Sequence, residues 1–333
     1  MMPCAAEQHA VFYFAEGLGE IMDPLTHGLV GMVVGLNAGG TVSLSNGLMI
    51  ASVVGSLIPD LDIVFQLRGD YAYLKQHRGI SHSLPSAVVM SGLGAIILNL
   101  FYPEYNFFLL FPWVCFGFLS HLFLDSLNSY GAKIFWPISR RKQRFNLLPL
   151  FSPVIFLLCL FSMWRYTQGY HDFLISAIFV IYLLFRWILR NWAEQLIKVK
   201  LLKKKKALQV SVLPAGINLF RWDFIIEQRQ KNIVGNVNLL KRSCKISQRL
   251  QCEKEEMRDF LAQTVLGRVF REFTPYFHIS SEKKGDQLIY HFMDLRYQVK
   301  NGFLHNGTLR LNHKLEVEEA IFQPYHKSRR IYL

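Results

Sequence analysis

The chain has 333 residues, of which 51% are hydrophobic, 14% aromatic and only 18% charged, and its mean hydropathy is +0.20. Soluble domains contain about 25% charged residues, and disordered chains are poor in aromatic residues. This composition therefore excludes a disordered chain and disfavours a single soluble domain. The five cysteines show no CxxC spacing, so they indicate neither a disulfide framework nor a cysteine-based zinc site.

The charge is divided unevenly along the chain. Residues 1–192 contain 11 Lys and Arg against 10 Asp and Glu, a net charge of +1, whereas residues 193–333 contain 26 against 14, a net charge of +12. We therefore predict an α-helical polytopic membrane domain of about six helices over residues 22–192 and a basic juxtamembrane linker at 193–206. A small α+β cytoplasmic domain is expected to follow over residues 207–333.

The first 21 residues contain no Lys or Arg and so lack the basic start of a signal peptide. Met22 opens a polar segment, Met22-Asp23-Pro24, in front of the first apolar run. We interpret residues 1–21 as a non-native extension, with translation starting at Met22 rather than Met1. A short disordered or amphipathic tail is the alternative.

Six apolar segments follow. Leu29–Ile58 is uncharged, and a turn-like cluster around 37–47 divides it into two short helices, about 26–38 and 46–59, with one long tilted helix as the alternative. A spanning helix needs about 20 mostly apolar residues. Four further segments are predicted to span, the last extended by snorkelling of Arg186 and Arg190: Leu84–Phe101, Asn106–Leu124, Leu147–Trp164 and Phe173–Phe185.

Lysines and arginines predict the orientation of these helices. They concentrate in the loops around 60–82 and 125–150, whereas the opposite loops contain none. The positive-inside rule then places both termini in the cytoplasm, and we expect a bacterial inner-membrane protein. The Lys203–Lys206 run suits the anionic headgroups of the lipid bilayer, although it could equally be a solvated flank of the last helix.

The C-terminal region carries strand and helix patterns together. Glu253–Phe273 has apolar residues at helical spacing. Four segments are predicted as strands: Ala207–Leu213, Phe220–Glu227, Leu288–Met293 and Thr308–Leu315. No nucleic-acid-binding fingerprint accompanies the positive charge, so no nucleic acid partner is expected.

Histidines and aspartates gather at the ends of the apolar segments. Under the six-helix topology, these ends all lie on the cytoplasmic side. His121 and Asp125 stand four residues apart, so they share one face of a helix. The complete set is His27, Asp60, Asp62, His77, His82, His121 and Asp125.

Imidazole and carboxylate groups together suit a divalent metal, for which we prefer zinc over manganese or magnesium. The number of donors exceeds the need of one tetrahedral site, so either two ions or one ion with supporting groups is expected. Arg78 stays protonated and is predicted to hold an anionic group. Taken singly, each residue could instead be a helix cap or turn residue, but an ionisable group such as His121 is rare within an apolar segment.

Four motifs resemble those of the YdjM-like bacterial inner-membrane proteins, a family described as membrane-bound, metal-dependent hydrolases: Met22–His27, Pro59–Asp62, His77–Ser83 and His121–Gly131. The resemblance runs from Met22 to about Pro153. Asn218–Trp222 and Asp294–Tyr297 are similar to the cytoplasmic part of longer members. The resemblance implies a metal-dependent hydrolase with these His and Asp residues as ligands. Our own hypothesis adds that Asp62 serves as a ligand or as the general base.

The chain also departs from this family. Longer members carry acidic residues where this sequence has Arg140, Asn146 and Ser152, which puts catalytic competence in question if those acids take part. A phosphoester or lipid-linked substrate is the leading expectation. The alternatives are a non-catalytic membrane anchor for the basic domain and, less favoured, a transporter.

Overall fold

A computed structural model describes residues 24–170, 174–202, 209–284, 287–299, 302–324 and 329–333. Three predicted features lie outside these residues: the extension at 1–21, the translation start at Met22 and the Lys203–Lys206 run. The chain divides into two compact units. One comprises the chain up to Val64 with Gln76–Arg186, and the other comprises Phe65–Lys75 with Trp187–Leu333.

The N-terminal part is helical, as predicted. Its α-helices are α1 Pro24–Leu36, α2 Gly47–Leu57, α3 Asp70–Gln76, α4 Leu84–Phe101, α5 Phe107–Leu127, α6 Pro153–Thr167 and α7 Leu174–Ile197. Short 3-10 helices cover Ile58–Arg68 and Ile80–His82, and a π-helical turn, Lys198–Leu202, extends α7. By length and composition, the segments Gly47–Arg68, Leu84–Phe101, Phe107–Leu127 and Leu174–Leu202 could each cross a membrane, whereas α1 and α6 are shorter apolar helices. The predicted span Leu147–Trp164 is therefore wrong, because its helix begins only at Pro153 and has 15 residues.

The first apolar run is two helices, so the alternative of one long helix is wrong. α1 ends at Leu36, and Gly39 and Gly40 adopt positive φ angles of 96° and 94° in the turn that follows. Asn46 then caps α2, its side-chain oxygen accepting from the backbone N–H of Met49 at 3.2 Å. The chain reverses direction between α1 and α2. His27, in the first turn of α1, therefore lies at the same end of the helix pair as the residues that follow α2.

Two glycines let α2 and α5 pack backbone against backbone. A Cβ atom at Gly55 would lie 1.9 Å from the carbonyl oxygen of Val114, and one at Gly117 would lie 1.9 Å from that of Ser52. No larger residue fits such contacts, which small residues make possible between membrane helices. This close pairing places the end of α2 beside the last turns of α5.

Arg186 is held inside the protein, so its expected snorkelling is wrong. Its side chain is 1% exposed, and its Nε donates to the carbonyl oxygen of Leu147 at 2.9 Å. The Tyr182 hydroxyl of the same helix lies 3.1 Å from the Ser152 hydroxyl. A buried cation needs an acceptor, and the carbonyl supplies one. These contacts fasten the segment before α6 to α7.

The C-terminal region is an α+β domain, as predicted, in which two antiparallel sheets accompany two helices. The strands are β1 Gln209–Pro214, β2 Arg221–Glu227, β3 Lys231–Asn238, β4 Ser243–Gln251, β5 Phe277–Lys284, β6 Gln287–Asp294, β7 Gln298–Val299, β8 Gly302–Phe303, β9 Asn306–Leu311, β10 Val317–Gln323 and β11 Ile331–Tyr332. The four-stranded sheet has the order β1-β2-β3-β4, and the five-stranded sheet has the order β11-β10-β9-β6-β5. β7 and β8 form a separate pair.

Two sequence-based boundaries in this region are wrong. The predicted strand Thr308–Leu315 is β9, which starts at Asn306 and ends at Leu311, because the chain turns at Asn312. The predicted helix Glu253–Phe273 is two helices, α8 Glu255–Gln263 and α9 Val265–Phe273. Thr264 divides them, since its hydroxyl accepts from the N–H of Gly267 at 3.2 Å and so caps α9.

Both faces of the four-stranded sheet carry core residues, contributed mainly by β1, β2 and β3. On one face, a cluster that includes Trp222 and Phe224 packs with Leu189, Ala193 and Ile197 of α7. On the other face, the neighbouring core includes the following residues: Leu213, Ile225, Val234, Tyr276, Leu295 and Phe303. The end of α7 is therefore part of the same core as the sheet.

His305 is expected to make this domain sensitive to acid. Burial lowers the pKa of His305 to about 4, so between about pH 6.5 and 4 the unfolded chain binds a proton that the folded domain refuses. The free energy of unfolding therefore falls as the pH falls, by roughly 2 kcal/mol between about pH 6.5 and 5. Burial raises the pKa of Asp223 to about 7, which acts in the opposite direction.

Because these two groups act in opposite directions, the test compares wild type with His305→Gln. The compared quantity is the change in the free energy of unfolding with pH. Pulse proteolysis in urea, at about pH 7 and about pH 5, should show His305→Gln gaining stability relative to wild type at the lower pH. His291→Gln serves as the control because His291 is 40% exposed. Equal pH slopes for wild type and His305→Gln would contradict the assignment.

Candidate metal centre

Four polar atoms from three segments converge at the centre of the cluster, with His121 and Asp125 both on α5. The Nε2 atoms of His82 and His121 lie 3.1 Å apart. Oδ1 of Asp60 lies 3.5 and 3.6 Å from these two nitrogens, and Oδ2 of Asp125 lies 3.4 and 3.6 Å from them. Ligands of a tetrahedral zinc ion are separated by about 3.3–3.5 Å. The donor set and spacing therefore fit one divalent ion.

Hydrogen bonds at Nδ1 orient both histidines. His121 lies on α5, and its Nδ1 is 2.7 Å from the carbonyl oxygen of Ser56 on α2. That hydrogen bond fixes the proton on Nδ1 and leaves Nε2 as an acceptor. His82 ends the short 3-10 helix before α4, and its Nδ1 is 3.0 Å from the Ser81 hydroxyl. Ser83 then caps α4, accepting from the N–H of Ser86.

Asp62 lies on the Nδ1 side of two histidines. Its Oδ1 is 3.0 Å from Nδ1 of His77, and its Oδ2 is 3.6 Å from Nδ1 of His82. Oδ2 also accepts from the backbone N–H of Arg78 at 3.2 Å and from the Ser81 hydroxyl at 3.1 Å. A carboxylate in this position commonly orients metal-binding imidazoles.

His27 joins the cluster through Asp125 and His121. Its Nε2 lies 3.7 Å from Oδ1 of Asp125, and its ring stacks on that of His121 with 3.8 Å between centroids. All the predicted metal-binding residues fall in three overlapping groups, and within each group the potential ligand atoms lie within 4.8 Å of one another. The groups are His27 with His121 and Asp125, Asp60 with His82 and His121, and Asp60 with Asp62 and His77.

Arg78 is buried in the cluster and is only 4% exposed. Its guanidinium lies 3.1 Å from Oδ1 of Asp125 and 5.5 Å from the centroid of the Tyr130 ring. It occupies the left-handed region with φ of 55°, which costs energy for a residue other than glycine. The cation therefore balances the Asp125 carboxylate directly, a contact that the sequence did not reveal.

Asn128 and Tyr130 are further residues of the site that sequence reasoning missed. The Asn128 amide donates to Oδ1 of Asp125 at 3.4 Å, and its oxygen accepts from the N–H groups of Tyr130 and Gly131. The signal was present, because these residues directly follow Asp125 within the motif His121–Gly131. The segment ends α5 with a turn that keeps Asp125 in place.

Arg78 pairs with Asp125, one of the three aspartates, so the buried negative charge of the cluster stays costly unless a second cation joins it. Asp125 and His82 are fully buried, and Oδ2 of Asp125 has no hydrogen-bond partner in the part of the chain that the structure describes. A buried carboxylate oxygen without a partner is expensive. Burial also lowers the pKa of His82, which favours the neutral imidazole that binds metals. An orphaned oxygen beside two accepting nitrogens is suited to a metal ion.

The three positions at which the sequence departs from longer relatives lie elsewhere. Arg140 is exposed, Asn146 is buried with φ of 53°, and Ser152 contacts the Tyr182 hydroxyl. Among the described residues, none of the three belongs to a group of potential metal ligands. The cluster is therefore assembled without acidic residues at these positions.

The architecture defines a class of protein, a polytopic membrane protein with a buried His/Asp cluster and a C-terminal plait domain. Residues 22–193, more than half of the chain, match the family described as YdjM inner membrane protein, and the chain belongs to that family. Residues 259–332 match the YfhP C-terminal alpha/beta plait domain.

Two relatives support this assignment. The chain is 26% identical to the protein YfhP of Bacillus subtilis (strain 168) over 313 residues, which cover 90% of this chain and 94% of that protein. It is 28% identical to the inner membrane protein YbcI of Escherichia coli (strain K12) over 162 residues, which cover 48% of this chain and 90% of that protein. No solved structure matches the chain.

Proposed function

We propose that the protein is a membrane-bound, metal-dependent hydrolase. The observation that carries the proposal is the approach of four donor atoms, from His82, His121, Asp60 and Asp125, at separations of 3.1 to 3.6 Å. Two nitrogens and two carboxylate oxygens are a donor set typical of zinc, with manganese or magnesium as alternatives. A bound ion of this kind supplies a Lewis acid and lowers the pKa of its water to about 7.

The open side of the cluster lies at Asp60 and His77. Their side chains are 23% and 26% exposed, whereas those of His82, His121 and Asp125 are fully buried. Water and substrate would therefore enter on the Asp60 and His77 side. The pair of His77 and Asp62 resembles the histidine–carboxylate pairs that act in general acid–base catalysis, because Asp62 holds Nδ1 and the imidazole can take a proton at Nε2.

The substrate class is inferred from the surroundings of this opening. The cluster lies at the ends of apolar helices, and Lys142 Nζ donates to the carbonyl oxygen of His77 at 3.3 Å. A cation beside the opening favours an anionic substrate. A phosphoester, either free or carried by a lipid, combines that charge with access from the membrane surface. The excess of Lys and Arg in the loops supports a cytoplasmic position for the site.

The activity test is hydrolysis of phosphomonoester, phosphodiester and lipid-phosphate substrates by the metal-loaded protein in detergent. We expect turnover that stops on chelation and returns with zinc. His77→Gln should lower kcat by about 10²- to 10⁴-fold, because a proton acceptor is lost, and should leave the ion at His82 and His121 in place.

His291→Gln is the matched control for this variant. His291 also lies 3.2 Å from a carboxylate, that of Glu282, but in an exposed part of the plait domain. It should retain wild-type kcat. Retained metal with no turnover of any substrate class would contradict the hydrolase and favour a structural ion in a membrane anchor.

A further inference from the structure

A basic cavity lies where the end of α7 meets strands β3 and β4, within the second compact unit. Its volume is about 270 Å³. Three cationic residues, three aliphatic ones and one amide line it: Lys200, Lys231, Arg249, Leu201, Ile233, Ile246 and Gln228. Nothing in the proposed hydrolytic site involves these residues, so the cavity needs a separate explanation.

The strand register brings the two strand-borne cations together. Ile233 on β3 pairs with Arg249 on β4, and Lys231 lies two residues before Ile233, so all three share one face of the sheet. On this face the sheet packs against the end of α7. The cations therefore line a wall of the cavity instead of pointing away from each other across the sheet.

The described carboxylates leave the positive charge of the cavity without an ion-pair partner. Among the residues that the structure describes, no carboxylate forms an ion pair with Lys200, Lys231 or Arg249. Lys200 Nζ donates to the backbone carbonyl of Arg242, which holds the side chain in place without cancelling its charge. Three cations with no acid between them create a site for an anion.

The position of Lys200 along α7 indicates which anion is available. Lys200 lies about 39 Å along the helix from Leu174, at about 1.5 Å of rise per residue. A bilayer has a hydrocarbon core of about 30 Å and a total thickness of about 40–45 Å with its headgroups. If α7 starts at the opposite edge of the core and is tilted by about 20°, Lys200 lies about 37 Å from that edge and so at the level of the headgroups.

We propose that this cavity binds the phosphate of an anionic lipid headgroup. The guanidinium of Arg249 offers paired N–H donors to phosphate oxygens, and the two ammonium groups add charge. Leu201, Ile233 and Ile246 supply an apolar wall for the glycerol carbons. The volume is below the range of about 300–1,000 Å³ found for whole small-molecule ligands, which fits a headgroup better than a complete lipid.

Native mass spectrometry of the full chain in detergent tests the proposal with short-chain dioctanoyl phosphatidylglycerol as the probe. Lys231→Gln with Arg249→Gln should weaken binding by about tenfold or more, since each basic residue near an anionic headgroup contributes appreciably. Lys241→Gln with Lys245→Gln is the matched control. It removes the same charge from exposed residues that do not line the cavity, and it should bind as wild type does.

Two further arms separate the possible sources of phosphate. Dioctanoyl phosphatidylcholine, whose headgroup has no net charge, should bind weakly, and inorganic phosphate should not displace the anionic lipid at equal concentration. Arg249→Lys keeps the charge and should retain most of the binding, which guards against misfolding in the double variant. Equal weakening in the control pair, unchanged binding in the cavity pair, or binding of inorganic phosphate alone would each overturn the assignment.

Discussion

Replacing His82 and His121 together by glutamine is expected to remove the bound metal from the protein. The wild type purified in detergent should carry about one or two equivalents of zinc or manganese, and the double variant less than about a tenth of that. The reason is geometric, because the two Nε2 atoms lie 3.1 Å apart and each also faces Asp60 and Asp125. Elemental analysis after gel filtration measures the content directly.

Asp125 is a less suitable first target than the two histidines. Its carboxylate lies 3.1 Å from the guanidinium of Arg78, and both side chains are buried. Removing one member of a buried ion pair leaves the other uncompensated, at a cost of about 3–5 kcal/mol. An Asp125→Ala protein could thus lose its metal either because a ligand is missing or because the fold is destabilised, and metal content alone would not distinguish the two causes.

A burial-matched control is available in the plait domain. His278 and His305 are 2% and 0% exposed and belong to none of the potential metal groups among the described residues. His278→Gln with His305→Gln should keep the wild-type metal content. If wild type and the His82/His121 variant hold equal metal, the site is elsewhere. Absence of metal from both would make the cluster a set of capping and packing residues, and the anchor hypothesis would then be favoured.

The sequence predicted the membrane part well because its signals are long. Uncharged runs of membrane length leave few alternatives, and the loops carry the charge. The predicted site residues stand at the ends of those runs. One long helix over Leu29–Ile58 would separate His27 from Asp60, so the residues can meet only if this run forms two helices. The turn at Gly39 and Gly40 satisfies that condition. The distribution of Lys and Arg and the positions of the His and Asp residues independently indicated the same end of the helices. That agreement was more informative than any single residue.

The contacts inside the cluster could not be predicted in the same way. Sequence spacing shows that Asp60 and Asp62 are close, but not that Asp62 binds Nδ1 of His77 while Asp60 faces Nε2 of His82. Those orientations depend on the 3-10 helix after α2. The partner of Arg78 was also hidden, because the ion pair to Asp125 joins residues far apart in the chain.

The plait domain was the hardest region to predict. β4 alternates between exposed and half-buried residues without a strongly apolar face, so its pattern resembles a polar loop. The apolar spacing of α8 continues into α9, and only the hydroxyl of Thr264 marks the break. Helix caps and edge strands are decided by single hydrogen bonds that periodicity does not detect.

Replacing Arg296 by methionine is expected to destabilise the plait domain by about 3–5 kcal/mol. Arg296 and Asp294 form an ion pair at 2.7 Å in which both side chains are fully buried. The carboxylate also accepts from the Thr274 hydroxyl and from the N–H of Arg296. Methionine removes the cation and leaves a buried carboxylate that is only partly satisfied. Pulse proteolysis in urea of the full chain in detergent measures the loss.

Arg310→Met provides the comparison, because Arg310 forms an ion pair at 2.8 Å with Glu319 while its side chain is 44% exposed. Such pairs contribute about 0–1 kcal/mol. Adding Asp294→Asn to Arg296→Met should recover much of the stability, since asparagine keeps an acceptor for Thr274 without the charge. Equal losses for Arg296→Met and Arg310→Met would contradict this account. The segment Asp294–Tyr297, which resembles longer YdjM-like proteins, would on the expected result stabilise the plait domain instead of taking part in hydrolysis.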